Sequence, residues 1–126
     1  MNADILLYFN DHMDALPLYE RLEELILEQI PDAKIKVSKT QISFSNKRGF
    51  AFVSSNPCRK VNDRADVWMT VTFGLSYQKD SPRIDVATEP YPNRWTHHVM
   101  VGSEEEIDAE LMGWIREAAE FSARKR

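Results

Sequence analysis

Cysteine and glycine are scarce in this chain, with one cysteine (Cys58) and four glycines among 126 residues. A single cysteine closes no internal disulfide, so nothing in the sequence calls for an oxidising compartment. Four glycines are too few for a glycine-rich phosphate cradle, and neither a Walker A loop nor G-x-G-x-x-G is present. H-E-x-x-H, C-x-x-C and G-x-S-x-G are also missing, which leaves metalloprotease, dithiol and serine-hydrolase chemistry without a signature. No apolar run approaches the roughly 18 residues of a membrane span. The N-terminus has no basic n-region and no A-x-A-like cleavage site, so the expectation is a cytoplasmic protein with no membrane partner.

What is present is an ordinary apolar fraction, 43%, and a formal net charge of -4. That balance argues against wholesale disorder, and the length fits one domain over 1–126 that buries about two-thirds of its extended surface. The charge is unevenly spread. Met1 to Ala33 carries eight acids and one base, and Lys34 to Arg64 carries eight bases and one acid. The same pattern fits acidic helices beside a basic sheet edge, and a local basic patch for phosphate or carboxylate.

Ile5 to Phe9 is read as a short helix. Asp14 is placed to cap the next one, with Pro17 in its first turn. Leu18, Leu22, Leu25 and Ile26 recur at helical spacing until Pro31 ends the helix. Period-two alternation follows in Lys34 to Ser38 and Gln41 to Ser45, with a hairpin at Asn46 to Gly49 in which Gly49 can take positive φ. Phe50 to Ser54 returns, Asn56 to Asp66 is a loop, and Val67 to Leu75 is the longest strand. Gln78 to Pro82 reads as a turn, Arg83 to Thr88 as a strand, Glu89 to Asn93 as a stiff connector and Arg94 to Val101 as the last strand. Ser103 and Glu106 form a capping box before a final helix. Its stripe is Ile107, Leu111, Trp114, Ile115, Ala118 and Phe121, and Arg124, Lys125 and Arg126 suit the negative end of its dipole.

Strands joined by short turns and flanked by helices predict an α+β class: an antiparallel sheet of about six strands with the N-terminal and C-terminal helices packed on one face. The other face is then exposed or used. Alternation places Lys36, Ser43, Trp68, Thr70, Thr72, Arg83, Asp85, Thr96 and His98 there.

His97 and His98 are strand neighbours and point to opposite faces, so they cannot chelate one metal together. No metal site and no cofactor is expected. His97 falls on the core side with Trp95, Val99 and Val101, and His98 on the open side with Thr96. Lys39 is in phase with Ile35 and Val37, which half-buries it unless the turn into Gln41 swings it into solvent. Arg83 and Asp85 share a face and can pair there. Trp68 is a candidate stacking surface, beside the plainer reading of tryptophan at the core margin.

Lys39-Thr40-Gln41-Ile42-Ser43-Phe44, Phe73-Gly74-Leu75, Ser81-Pro82-Arg83-Ile84, Arg94-Trp95-Thr96-His97-His98 and the segment Glu105 to Glu117 occur in this order. As a set they resemble the domain-of-unknown-function family 5655, over most of the chain from about Leu18 onward. The resemblance implies a small bacterial α+β domain, found alone or fused to other modules, with no established activity. A looser, fold-level similarity is to small helix–sheet–helix domains such as the YjbR-like proteins, some suspected of binding DNA. The family pattern matches at Lys39, Arg83 and His97 and gives them no role.

Three functional expectations follow. The first is a module binding an anionic small molecule or nucleic acid through Lys36, Lys39, Arg83, His97, His98 and Trp68. The second is a homodimer pairing through the exposed sheet face. The third is a small enzyme with Lys39, Arg83 and His97 around one pocket, which requires those side chains to converge.

Overall fold

The structure, a computed structural model, describes residues 3–124. Helix α1 spans Ala3–Tyr8, and α2 spans Leu16–Gln29 after a single 3-10 turn. Six strands follow: β1 Lys34–Val37, β2 Ile42–Ser45, β3 Gly49–Ser54, β4 Met69–Leu75, β5 Val86–Tyr91 and β6 Arg94–Val101. Helix α3, Ala109–Arg124, closes the described chain. The strands make one antiparallel sheet in the order β1-β2-β3-β4-β6-β5. Longer β4 and β6 therefore lie side by side inside the sheet, and the hairpin partner β5 is left at the edge. The six-stranded α+β architecture expected from the sequence is the one observed.

Alternation decides which layer each residue joins. Ile42, Phe44, Val53, Met69, Val71, Phe73, Leu75, Val99 and Val101 turn to the helices and are buried. They pack with Leu18, Tyr19, Leu22 and Ile26 of α2 and with Leu111, Trp114, Ile115 and Ala118 of α3 in one core. Tyr19 stacks on Phe44 with ring centroids 6.2 Å apart, and Phe73 stacks on Trp114 at 5.7 Å, so α2 covers the β2 side and α3 the centre. Only one face of the sheet is covered in this way.

Local signals are partly redirected. Pro17 lies in the first turn of α2 as expected, but Asp14 falls inside the preceding 3-10 turn, and Ala15 caps the helix without a side-chain bond. The Ser103/Glu106 capping box does not form. Glu106 Oε1 instead accepts the Gly102 N–H at 2.8 Å, and Glu104–Glu106 is a 3-10 turn. The start of α3 is served by Asp108, whose Oδ1 accepts the Leu111 N–H at 3.0 Å. Gly49 does not use positive φ. It is small because the Phe52 ring lies over it: a Cβ there would sit 2.8 Å from the ring. The strand expected at Arg83 to Thr88 begins at Val86 and continues through Glu89 and Pro90, which an edge strand tolerates. The turn is at Asn93, φ 62°, where asparagine is well suited. Lys125 and Arg126 lie outside the described residues.

Candidate functional site on the open face of the sheet

The register produces one lateral row that crosses all six strands on the uncovered face. Lys36 faces Ser43, Ser43 faces Phe52, Phe52 faces Thr72, Thr72 faces His98, and His98 faces Val86. At about 4.8 Å per strand, the backbone of Lys36 and that of His98 are about 19 Å apart. A second row flanks the first: Lys34 faces Ser45, and Gly74 faces Thr96 beside Thr88. Lysines thus occupy the free edge, an aromatic ring the middle, and hydroxyls and an imidazole the far side.

The loop from Ser55 to Trp68 folds over one end of this face and is tied down by hydrogen bonds and one ion pair. Thr70 Oγ1 donates to the Asn56 carbonyl at 2.7 Å, and the Cys58 N–H points to Met100 Sδ at 3.3 Å. Arg59 Nε donates to Asp85 Oδ1 at 2.8 Å, and Asp85 Oδ2 accepts the Met100 N–H at 3.0 Å. The result is a depression of about 420 Å³ walled by Phe52, Cys58, Thr70, Thr72, Thr96 and His98, with no carboxylate in its lining among the described residues. Burial, followed by the Asp85 charge, pushes the Cys58 thiol up, so it stays a thiol and is no ready nucleophile.

His98 is the most versatile group in the depression. Its Nδ1 is 2.8 Å from Thr72 Oγ1, which orients the ring. Burial pushes its pKa down, so it is neutral near pH 7 and Nε2 is left for a ligand, as donor or acceptor according to tautomer.

The structure sends the other expected site residues elsewhere. His97 is 0% exposed, stacked on Phe73 with centroids 4.9 Å apart and planes within 6°. Its Nε2 accepts the Lys79 N–H at 2.9 Å. Its Nδ1 is sealed with no well-formed hydrogen bond, although the adjacent Phe73 backbone partly offsets the fall in pKa that burial causes. Arg83 is not on the open face with Asp85. Because β5 starts later than expected, Arg83 sits in the preceding loop and reaches the start of α3. One guanidinium nitrogen bonds Asp108 at 2.9 Å and Glu110 at 2.8 Å, and the other donates to the Glu106 carbonyl at 2.7 Å. The same guanidinium lies 5.6 Å from the Trp114 ring centroid. Asp85 pairs instead with Arg59.

Lys39 is exposed, because Ser38 turns the chain by accepting the Gln41 N–H on its side chain. Trp68, just before β4, carries the Arg64 guanidinium 5.5 Å from its ring centroid. Lys39, Arg83 and His97 do not converge: the first is exposed at a turn, the second is held at the start of α3 and the third is sealed in the core. Of the expected set, Lys36 and His98 are the two that one row brings together. Phe52 was missed, although its alternation with Ala51 and Val53 already set it opposite the core. Among the described residues no cluster of His, Cys, Asp and Glu is arranged to hold a metal, and no helix is long and apolar enough to cross a membrane.

Six antiparallel strands with every helix on one side define a two-layer α+β domain with a free sheet face. The chain belongs to the family described as Domain of unknown function (DUF5655), which matches residues 7–122. No curated protein and no solved structure matches it.

Proposed function

We propose that this chain is a binding module for an anionic ligand, with nucleic acid as the ligand the spacing favours, engaged on the open face of the sheet. The observation that carries this reading is the row Lys36, Ser43, Phe52, Thr72, His98 beside a depression that no carboxylate of the described residues lines. A row that runs about 19 Å from the Lys36 backbone to the neutral His98 suits an extended polyanion better than a single small anion. Phe52 offers a ring on which a base can stack, as on other single-strand-binding sheets. Lys34, Lys36, Lys39, Lys47 and Lys60 make no ion pair among the described residues, and the acids of Glu20 to Glu28 and Glu110 to Glu120 belong to the helical layer behind the sheet. A pI near 5.4 is therefore compatible with a face of the opposite sign. A cytoplasmic bacterial setting fits a chain with one unpaired cysteine.

The test is binding of a fluorescent single-stranded oligonucleotide, with a duplex in parallel, titrated with salt. The expected result is tighter binding of the single strand, with log affinity falling linearly in log salt by about 0.7 per phosphate contacted. Absence of binding at low salt, or a flat slope, overturns the reading.

A further inference from the structure

We propose that a separate cavity at one end of the sheet binds a small aromatic carboxylate, with Arg94 as its anion contact and the floor kept open by Gly74. The cavity encloses about 240 Å³ where the β2–β3 turn, the β5–β6 turn and the second half of α3 meet. Rings of Tyr91, Trp95 and Phe121 contribute to its wall, and Arg48 and Arg94 are its charged lining residues among the described residues. It is smaller than a typical drug-sized site and holds about eight water volumes, which is room for one ring with a short acidic substituent.

Two independent observations set it apart from a packing defect. The first concerns Gly74, which lies inside β4, where glycine weakens a strand. No glycine has positive φ, so the backbone does not require one here. Nor do the neighbours: a Cβ on Gly74 would meet nothing closer than the Trp95 carbonyl at 3.9 Å, unlike Gly49, whose Cβ would press on Phe52. The consequence of glycine at 74 is empty volume in the cavity.

The second observation is charge. Arg94 has neither an ion pair nor a hydrogen-bonded acid among the described residues, whereas Arg59 and Arg83 are both engaged by carboxylates. A guanidinium at an aromatic cavity without an acid matches a planar carboxylate, which it can hold with two parallel bonds. The mouth is preorganised: Asn93 takes φ 62° and its N–H donates to Glu89 Oε2 at 3.1 Å, which fixes the turn carrying Tyr91 and Arg94. Tyr91 is 66% exposed at this mouth, an aromatic ring with little to cover it.

The test follows the Trp95 indole N–H by NMR in the full chain, assigned with Trp95→Phe, during titration with phenylacetate, phenylacetamide and acetate. Phenylacetate is expected to shift that signal saturably and to bind about tenfold more tightly than either of the other two. Arg94→Gln is expected to reduce phenylacetate to the phenylacetamide level. Gly74→Val is expected to abolish binding of both while leaving the melting temperature unchanged or higher, a combination that loss of fold cannot produce. Lys36→Glu, on the open face, is expected to leave phenylacetate binding as it is, so failure of this site and failure of the oligonucleotide reading are separable. No saturable shift with phenylacetate, wild-type affinity in Gly74→Val, or equal losses in Lys36→Glu and Arg94→Gln overturns the proposal.

Discussion

His97 and His98 are neighbours on one strand and lead opposite lives. His97 faces the helical layer, stacks on Phe73, accepts a backbone N–H and meets no solvent. His98 faces the uncovered layer, touches a threonine hydroxyl and lines a depression. The residue type is the same and so is the direction of the pKa shift, downward through burial in both. The difference lies in what surrounds the second ring nitrogen: packed core for one and a cleft for the other. The same division runs through the basic residues. Arg83 is spent on the start of α3, while Lys36 stands without an acidic partner among the described residues. Within the strands of this fold, a polar group is available to a ligand only if its parity sends it away from the helices.

The sharpest way to break this comparison is to truncate both histidines. His97→Ala removes a stacked, fully buried ring and leaves the Lys79 N–H without its acceptor, so a loss of about 3 kcal/mol is expected in urea unfolding. His98→Ala leaves one threonine hydroxyl that water can reach and is expected to cost less than about 1 kcal/mol. Equal losses would mean that the two faces are not energetically distinct. Arg83→Ala comes next, at about 2 kcal/mol, because the Glu106 carbonyl, two carboxylates and the Trp114 face all lose a partner together. Arg83→Lys is expected to recover less than half of that, since an ammonium cannot reproduce the fork. It leaves oligonucleotide binding unchanged if Arg83 is purely architectural.

Acid sharpens the comparison further. Both histidines are held below their ordinary value of 6.5 in the folded chain. The unfolded chain therefore takes up protons first as the pH falls, and stability drops as pH moves from about 7 towards 5. Asp108 and Glu117 are shifted down, Asp108 by the Leu111 N–H and Arg83, Glu117 by Tyr77 and Lys79, both against burial. Their contribution persists through that window and is lost only below the ordinary carboxylate range. Denaturation midpoints measured between pH 7 and 5 are expected to fall in the wild type and to fall less in His98→Ala. An acid-insensitive midpoint would show that neither imidazole is buried as described. Binding of a polyanion is expected to run the other way, strengthening with acid as the His98 ring takes up a proton beside the ligand.

Strand parity is also why much of the fold was legible in the sequence and the site only in part. Period-two alternation reports face directly, so Val71, Phe73, Val99 and Val101 read as core, and Thr70, Thr72, Thr96 and His98 as the opposite side, before any contact is known. Alternation says nothing about where a strand begins. A shift of three residues at the start of β5 moved Arg83 off the sheet and gave Asp85 a different partner. Caps fail for a related reason: Ser103, Glu106 and Asp108 all carry suitable side chains, and the position of the first helical turn picks Asp108. The cavity around Gly74 was out of reach because its wall comes from four separate segments. Yet Phe73-Gly74-Leu75 and Arg94-Trp95-Thr96, strings already noted for their resemblance, line it together.

Lys36→Glu is expected to have the smallest effect on folding and the most informative one on function. The residue is exposed on an edge strand and has no acidic partner among the described residues, so its replacement should change stability by no more than about 0.5 kcal/mol. An edge lysine also discourages strand pairing between copies, and glutamate serves that purpose as well. Stability and self-association are thus held nearly constant while one charge on the row changes sign. If the open face carries a polyanion, the salt slope of oligonucleotide binding should fall by about 0.7, the contribution of one phosphate contact on a single strand. A weaker affinity with an unchanged slope would place the lysine outside the contact and leave only its long-range field. An unchanged affinity and slope would remove the free edge from the binding surface, and the distinction between the two faces would then rest on His98, Thr72 and Phe52 alone.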